Sequence, residues 1–198
     1  MSVSRETSER LAEYARMLER WNSRINLVSP GDMAQLEQRH IVDCLQLTDL
    51  APRHAAVWAD LGSGGGLPGL VVAIARADED TRFILVESDA RKAVFLRQAA
   101  RALDLAHVTV LARRIESVAP LKADVVTARA LAPLPRLMPY LHRHLSDGGV
   151  AFLPKGRQWP AEVADAKRDW RFDCRAHPSI TQDGAAVLEL GGISHGAA

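Results

Sequence analysis

The first fifty residues carry apolar positions at helical spacing, with charged residues between them. The apolar residues that fall on one face are Leu11, Tyr14, Leu18, Trp21 and Ile25. Spacings of three and four indicate an amphipathic helix, which the polar and turn-forming residues from Asn26 to Gly31 end. A second helical segment is predicted from Met33 to Leu50. Residues 1–52 are therefore expected to form an N-terminal helical extension.

After Pro52 the pattern changes to short apolar runs that alternate with helical stretches. The predicted strands are Val57–Leu61, Phe83–Val86, Val108–Leu111, Asp124–Thr127 and Val150–Leu153. The predicted helices lie near Gly69–Arg76, Ala90–Leu103 and Leu134–His144. Strands that are apolar throughout and alternate with helices indicate a parallel sheet covered on both faces.

The C-terminal part of the chain lacks this alternation. Two further runs, Trp170–Arg175 and Ala186–Leu190, are separated by Pro178 and a polar turn, with no helix between them. Consecutive strands without a crossover helix pair antiparallel. The whole pattern predicts an α/β fold of the Rossmann-like, class I methyltransferase type: a mostly parallel, seven-stranded sheet that ends in an antiparallel hairpin. We expect one domain over residues 1–198, with its core at 53–193 and an unstructured tail from Ile193.

Composition indicates the class of protein and the compartment in which it works. A chain of 198 residues with 47% hydrophobic residues suits one soluble domain, and its net charge of +1 indicates no polyanionic partner by itself. Cys44 and Cys174 are far apart and lack metal-ligand spacing, which favours free thiols in a reducing compartment. Charged residues precede any apolar stretch, and the longest apolar run, Leu70–Ala75, is too short for a membrane span. We expect a cytoplasmic monomer with no metal and no membrane partner.

A glycine-rich loop, from Asp60 to Gly69, follows the first predicted strand and leads into a helix. Gly62 and Gly64 permit a sharp turn and a close approach of a ligand to the backbone. Glu87 ends the next strand, where an acidic side chain can accept both ribose hydroxyls of a nucleoside. The loop therefore predicts a nucleoside-containing cofactor.

Two cofactor classes are compatible with such a loop: dinucleotides and S-adenosylmethionine. Asp60 lies at the mouth of the loop, where a carboxylate would repel the pyrophosphate of a dinucleotide. The same carboxylate can accept a hydrogen bond from the ammonium group of S-adenosylmethionine, directly or through water. The sequence therefore favours S-adenosylmethionine.

Short motifs recur along nearly the whole chain: Trp21-Asn22, Ile25-Asn26-Leu27, Arg39-His40-Ile41-Val42-Asp43, Gly66-Leu67-Pro68-Gly69, Phe95-Leu96-Arg97-Gln98, Arg114-Ile115-Glu116, Arg129-Ala130 and Lys155-Gly156. Together these motifs resemble the glucose-inhibited division protein B family of small-subunit ribosomal RNA methyltransferases. The resemblance implies methylation of N7 of a guanine in bacterial small-subunit (16S) ribosomal RNA. The implied partner is this RNA or the 30S subunit.

The resemblance also implies cofactor contacts at Gly62, Leu67, Ile115, Glu116 and Arg129. The predicted topology agrees, because Ile115 and Glu116 follow the third strand and Arg129 follows the fourth, at the sheet edge where ligands bind. The chain departs from the family in two places. Ala90-Arg91-Lys92 replaces a Gly-Lys-Arg element, and Leu131 replaces a phenylalanine.

Guanine N7 carries a lone pair and no proton, so its methylation needs no general base. The protein must instead align the reacting atoms and exclude water. Arg129 and His40 are the candidate catalytic residues, with alignment as the expected role of Arg129; His40 has the alternative of packing within the second helical segment.

RNA contacts are expected from Arg39, Lys155 and Arg157. Residues 129–157 contain five arginines and lysines but one acidic residue, Asp147, so the segment has a local charge excess of +4. Such a run binds phosphate groups, or it forms a solvated charged face.

Two other functions are compatible with the predicted fold. One is methyl transfer to a protein or a small molecule, and the other is RNA binding without catalysis. The fourth strand ends in Thr127-Ala128-Arg129-Ala130. It therefore lacks the Asn/Asp-Pro-Pro-Tyr/Phe element of amino-group methylases, and methylation of an exocyclic nitrogen is disfavoured.

Overall fold

The computed structural model of the chain describes residues 3–29, 33 and 36–196, and its centre is a seven-stranded sheet. The strands are β1 (Val57–Leu61), β2 (Arg82–Glu87), β3 (Val108–Ala112), β4 (Ala123–Thr127), β5 (Leu145–Lys155), β6 (Trp170–Pro178) and β7 (Ala186–His195). Their order is β3-β2-β1-β4-β5-β7-β6. The first five strands pair in parallel, and β7 is antiparallel to both β5 and β6. The predicted fold class is confirmed.

Helices cover both faces of the sheet. They are α1 (Arg5–Asn22), α2 (Val42–Leu50), α3 (Gly69–Ala75), α4 (Ala90–Ala102), α5 (Leu134–His144) and α6 (Trp159–Ala166). Side chains of α1 to α4 pack together on one face of the sheet, and those of α5 and α6 pack on the other. In the described part of the chain, no helix is both long and apolar enough to cross a membrane.

The end of α1 is set by one side chain. The amide oxygen of Asn22 accepts hydrogen bonds from the backbone N–H groups of Leu27 (2.8 Å) and Val28 (3.0 Å), which folds the chain back after the helix. Ile25, which the apolar pattern placed on the helix, therefore lies beyond its end and packs against the core from a turn. The Asn22 turn brings Leu27 and Val28 over the carboxyl edge of the sheet.

The second helical segment is not α-helical throughout. Residues Leu36–Ile41 form a π-helical turn before α2, and its wider backbone is common at functional sites. The apolar pattern shows a helix here but does not distinguish the two geometries. The turn places the side chain of His40 in the interior, where only 4% of the residue is exposed.

The C-terminal half differs from the predicted structure in two places: one helix was not predicted, and one prediction is wrong. Helix α6 was missed because it is short and buries only Ala166, so it has little apolar periodicity. The tail expected to be unstructured from Ile193 continues as β7, where Ser194 and His195 pair with Arg171 and Trp170. Backbone pairing with the edge strand β6 needs no apolar pattern, which is why the sequence did not show it.

A buried arginine joins α2 to α3. The Arg76 guanidinium donates hydrogen bonds to the carbonyl oxygens of Thr48 (2.9 Å), Ala51 (2.9 Å) and Pro52 (2.7 Å) at the end of α2. It also lies 5.2 Å from the ring centroid of Trp58. One buried cation thus satisfies the carbonyl groups that a helix end leaves without partners.

We expect Arg76→Met to lower the free energy of unfolding by about 3 kcal/mol, because buried carbonyl groups lose their charged donor. Urea unfolding measures the loss. Arg101→Met is the matched control: Arg101 is exposed on α4, and its replacement should change stability by no more than about 0.5 kcal/mol. Equal losses in the two variants would contradict the role of Arg76.

Candidate functional site

A cavity of about 590 Å³ opens at the carboxyl ends of β1 to β4. We call it the first cavity. It brings together eight residues that the sequence predicted as site residues: His40, Gly62, Gly64, Leu67, Glu87, Ile115, Glu116 and Arg129. Leu27 and Val28 also line it, because the Asn22 turn places them there. The cavity therefore draws on the N-terminal segment as well as on the loops that follow the strands.

The glycine loop forms one wall of the first cavity. Gly62 and Gly64 have positive φ angles of 70° and 55°, which glycine adopts without strain. A Cβ atom on Gly64 would meet no atom closer than 3.9 Å, whereas one on Gly62 would lie 2.7 Å from the Leu131 side chain. Gly64 thus leaves open space for a ligand, and Gly62 makes room for Leu131.

The N-terminal helix fixes this loop directly. The buried hydroxyl of Tyr14 on α1 donates a hydrogen bond of 2.6 Å to the carbonyl oxygen of Gly65. A Cβ atom on Gly65 would lie 3.4 Å from side-chain atoms of Leu18 and Leu27, so α1 and the turn after it pack closely on the loop. No sequence pattern predicts this contact, because it joins residues 51 positions apart.

Glu87 lies at the end of β2 with both carboxylate oxygens oriented by backbone groups. One oxygen accepts from the N–H of Gly64 and the other from the N–H of Asp89, each at 2.8 Å. Each oxygen keeps a lone pair for a further donor. Glu87 therefore links the glycine loop to β2 and presents a fixed acceptor to the first cavity.

Asp60 lies below the loop and does not line the cavity. Only 1% of the residue is exposed, its Oδ1 accepts a 2.8 Å hydrogen bond from the Thr127 hydroxyl, and its Oδ2 is buried without a hydrogen bond from the described residues. Burial is the main cause that raises the pKa of Asp60 to about 6. The structure thus places the Asp60 carboxylate against β4, away from the cavity that it was predicted to face.

The far wall of the first cavity follows β3. Ile115 is buried, and Glu116 is exposed beside it. The Tyr140 hydroxyl donates a 2.5 Å hydrogen bond to the Glu116 carboxylate, which lowers the pKa of Glu116 and raises that of Tyr140. Tyr140 lines the cavity from α5, and the sequence did not predict it as a site residue.

Arg129 and His40 meet across the cavity. The Arg129 guanidinium donates a hydrogen bond to Nδ1 of His40. Because arginine has no acceptor, Nδ1 carries no proton in this arrangement. The structure therefore joins the two candidate catalytic residues as a donor and an acceptor.

The three predicted RNA contacts fall in different places. The Lys155 ammonium is held by the Glu162 carboxylate and the Ala132 carbonyl oxygen, both at 2.8 Å, and 9% of the side chain is exposed. Arg157 is exposed and donates to the carbonyl oxygen of Asp183. The side chain of Arg39 lies outside the described residues. Four other basic residues line the first cavity: Lys92, Arg113, Arg114 and Arg136.

A second cavity of about 530 Å³ adjoins the first. The two share the segment Arg129–Ala132, which follows β4. The second cavity is also lined by Asp43 and Gln46 of α2 and by the turn between β6 and β7. The site therefore consists of two neighbouring chambers separated by the loop after β4.

The chain matches a known protein family over most of its length. The family model for the rRNA small subunit methyltransferase G, GidB, matches residues 7–188. This chain belongs to the GidB family. A ribosomal RNA small subunit methyltransferase G from Paracoccus denitrificans is 54% identical over 195 residues, which cover 98% of this chain and 100% of the relative. The enzyme of the same name from Gluconobacter oxydans is 48% identical and covers 96% and 95%.

Solved structures support the fold of this GidB-family member. A SAM-dependent methyltransferase from Aquifex aeolicus aligns with a TM-score of 0.61 at 13% identity, over 89% of this chain and 97% of the other. TYW2 from M. jannaschii, solved in complex with AdoMet, aligns with a TM-score of 0.59 at 14% identity, over 86% and 78%. At this level of identity the similarity shows a shared Rossmann-like architecture.

The raised pKa of Asp60 predicts a pH-dependent stability. The folded protein holds the Asp60 proton more tightly than the unfolded chain, whose carboxyl titrates near 3.9. The stability that this proton contributes is therefore present at low pH and is lost as the pH rises through about 6. Between pH 4 and pH 7, the free energy of unfolding of the parent should fall by about 2–3 kcal/mol relative to that of Asp60→Asn.

Urea unfolding of both proteins at several pH values measures this difference. All other titrating groups are common to both proteins, so they cancel in the comparison. Asparagine also keeps an oxygen that can accept from Thr127. A difference in free energy of unfolding that stays constant from pH 4 to pH 7 would show that Asp60 does not titrate in this range.

Proposed function

We propose that this protein transfers a methyl group from S-adenosylmethionine to N7 of a guanine in bacterial small-subunit ribosomal RNA. The observation that carries the proposal is the combination of membership in the rRNA small subunit methyltransferase G family with a nucleoside-sized cavity beside the glycine loop. The proposed substrate is the RNA or the 30S subunit, and the proposed compartment is the cytoplasm, where bacterial ribosomes assemble.

The first cavity suits the parts of S-adenosylmethionine. Glu87 offers carboxylate oxygens to ribose hydroxyls, Ile115 offers an apolar surface to adenine, and the open space beside Gly64 admits the amino-acid part. Asp60 supports the loop from below in this assignment, through its contact with Thr127. When bound, the cofactor supplies an electrophilic methyl group on its sulfonium. The residues of the chain then have to hold the acceptor in line and keep water out.

The pair formed by His40 and Arg129 fits a reaction without proton transfer. N7 loses no proton on methylation, so no side chain has to act as a base. The Arg129 guanidinium lines both cavities, and its bond to His40 fixes its direction. We propose that Arg129 holds the reactants in line and that His40 is a positioning residue that orients Arg129.

The rim of the first cavity offers an RNA surface. Arg113, Arg114 and Arg136 are exposed and line the cavity together with Lys92. Guanidinium groups bind phosphate oxygens with two parallel hydrogen bonds. We propose these residues, with Arg157, as the phosphate contacts, and we assign Lys155 to the wall of the second cavity.

We also propose that the protein acts as a monomer. Among the described residues the exposed large apolar side chains are Val94 and Ile180, which lie on separate elements. A stable dimer generally buries a contiguous apolar patch.

The proposal is tested by incubating the protein with methyl-labelled S-adenosylmethionine and either small-subunit RNA or 30S particles, followed by digestion and identification of the labelled base. We expect 7-methylguanine at one position. Label in another base, or in no RNA, would overturn the proposal.

Glu87→Gln should weaken cofactor binding by about 1.5–3 kcal/mol, the range for a hydrogen bond to a charged group. Glu19→Gln, on the exposed side of α1, should leave cofactor binding unchanged.

Two replacements of His40 separate orientation from proton transfer. His40→Asn removes the titrating ring but keeps an acceptor near the position of Nδ1, whereas His40→Leu removes both. We expect His40→Asn to retain single-turnover methyl transfer within about threefold and His40→Leu to lose about tenfold or more, as expected for a lost charge-assisted hydrogen bond. If both variants fail equally and the pH dependence of the parent disappears, a general base exists and His40 supplies it.

A further inference from the structure

The second cavity lies where the acceptor base has to be. The first cavity runs from β3, where Ile115 lies, across β2 to the loops after β1 and β4. With adenine beside Ile115 and ribose beside Glu87, the reactive end of the cofactor is directed toward β4. The segment Arg129–Ala132 shared by both cavities is at that end. A base in the second cavity therefore faces the transferred methyl group; this inference rests on the function proposed above.

Asp43 presents a fixed carboxylate in the second cavity. Its Oδ1 accepts three hydrogen bonds, from Gln46 Nε2 (2.7 Å) and from the hydroxyls of Ser179 and Thr181 (2.9 Å each). Its Oδ2 accepts none from the described residues, and no described cation forms an ion pair with it. Three donors thus immobilise one oxygen and leave the other, with its negative charge, available to a ligand.

Gln46 contributes a second acceptor to the same cavity. Its amide nitrogen donates to the Asp43 carbonyl oxygen (2.8 Å) as well as to Oδ1. Two acceptors on the nitrogen side fix the orientation of the amide, so Oε1 lies on the other side of the group. In the described part of the chain Oε1 has no hydrogen-bond donor. Gln46 lines the cavity although only 5% of the residue is exposed.

We propose that Asp43 Oδ2 and Gln46 Oε1 form an acceptor pair that recognises guanine by its N1–H and its exocyclic amino group. Guanine is the common base that offers two neighbouring donors on one edge, whereas adenine and cytosine offer a donor beside an acceptor, and uracil offers one donor. The exocyclic amino group lies across the ring system from N7. When this edge is held against α2, N7 is directed toward the segment Arg129–Ala132 that the two cavities share, and toward the methyl donor.

The charge of Asp43 also matches the course of the reaction. As the bond from N7 to the methyl carbon forms and the bond from carbon to sulfur breaks, the positive charge moves from sulfur to the purine, and no proton leaves. A cationic purine is a stronger N–H donor than a neutral one. Hydrogen bonds to the Asp43 carboxylate therefore strengthen toward the transition state, which is the requirement for catalysis by binding.

Asp43→Asn tests the pair. In this variant Oδ1 keeps its three donors, so the amide nitrogen takes the place of Oδ2 and presents a donor to the donor edge of guanine. We expect kcat/KM for RNA methylation to fall about 10- to 100-fold, the factor for loss of a hydrogen bond to a charged group. Cofactor affinity by calorimetry should stay unchanged. Asp49→Asn, which alters an exposed residue of the same helix, should be indistinguishable from the parent.

A change in the substrate tests the same contact without relying on the variant. Small-subunit RNA is ligated from fragments so that inosine, which lacks the exocyclic amino group, replaces guanosine at the methylated position. We expect the parent to methylate inosine about tenfold more slowly, and Asp43→Asn to show no preference for guanosine.

The outcomes separate this inference from the proposed function. If the parent methylates no RNA, the proposed function fails. If the parent methylates RNA and treats guanosine and inosine alike, the acceptor pair is wrong, whatever happens to the variant. Parent-like kcat/KM in Asp43→Asn overturns it as well. If Asp43→Asn also loses cofactor affinity, its effect is structural, and the inosine comparison with the parent decides.

Discussion

The hydrogen bond between the side chains of Thr127 and Asp60 joins the carboxyl ends of β1 and β4, next to the loops that line both cavities. Thr127 in turn accepts a hydrogen bond of 3.1 Å from the indole nitrogen of Trp58, so three buried polar groups form one chain. The glycine loop leaves β1 on one side of the junction, and the segment shared by the two cavities leaves β4 on the other. The relative position of the two cavities therefore depends on this buried contact.

Much of the fold follows from the sequence because its pattern is local. Apolar runs bounded by glycine and proline gave the bounds of β1 and α5 as observed, Val57–Leu61 and Leu134–His144. The first cavity was predictable for a related reason: loops that follow parallel strands meet at one edge. The contacts that complete the site were not predictable. Tyr14 meets Gly65 and Tyr140 meets Glu116 across long stretches of chain, and no periodicity encodes such pairs.

Charge is the property that the sequence described least well. A run of basic residues suggested one surface around Lys155, but Lys155 is paired with Glu162. Glu162 belongs to α6, a helix that the weak apolar pattern of the sequence did not reveal. The Glu162 carboxylate also accepts a hydrogen bond from the N–H of Leu134 at the start of α5. A count of charges along the chain does not show which of them have partners. The basic residues at the rim of the first cavity come instead from the loop after β3 and from α4 and α5.

The hydrogen bond from the Tyr14 hydroxyl couples the N-terminal helix α1 to any ligand that the glycine loop binds. Because α1 packs on the loop through this hydrogen bond, local opening of α1 removes a support of the loop. Thermodynamic linkage then requires the reverse effect: a ligand that binds only the ordered loop stabilises the helix by RT ln(1 + [L]/Kd). The backbone amides of α1 would consequently exchange with solvent deuterium more slowly when the cofactor is present, although no atom of the helix needs to touch it.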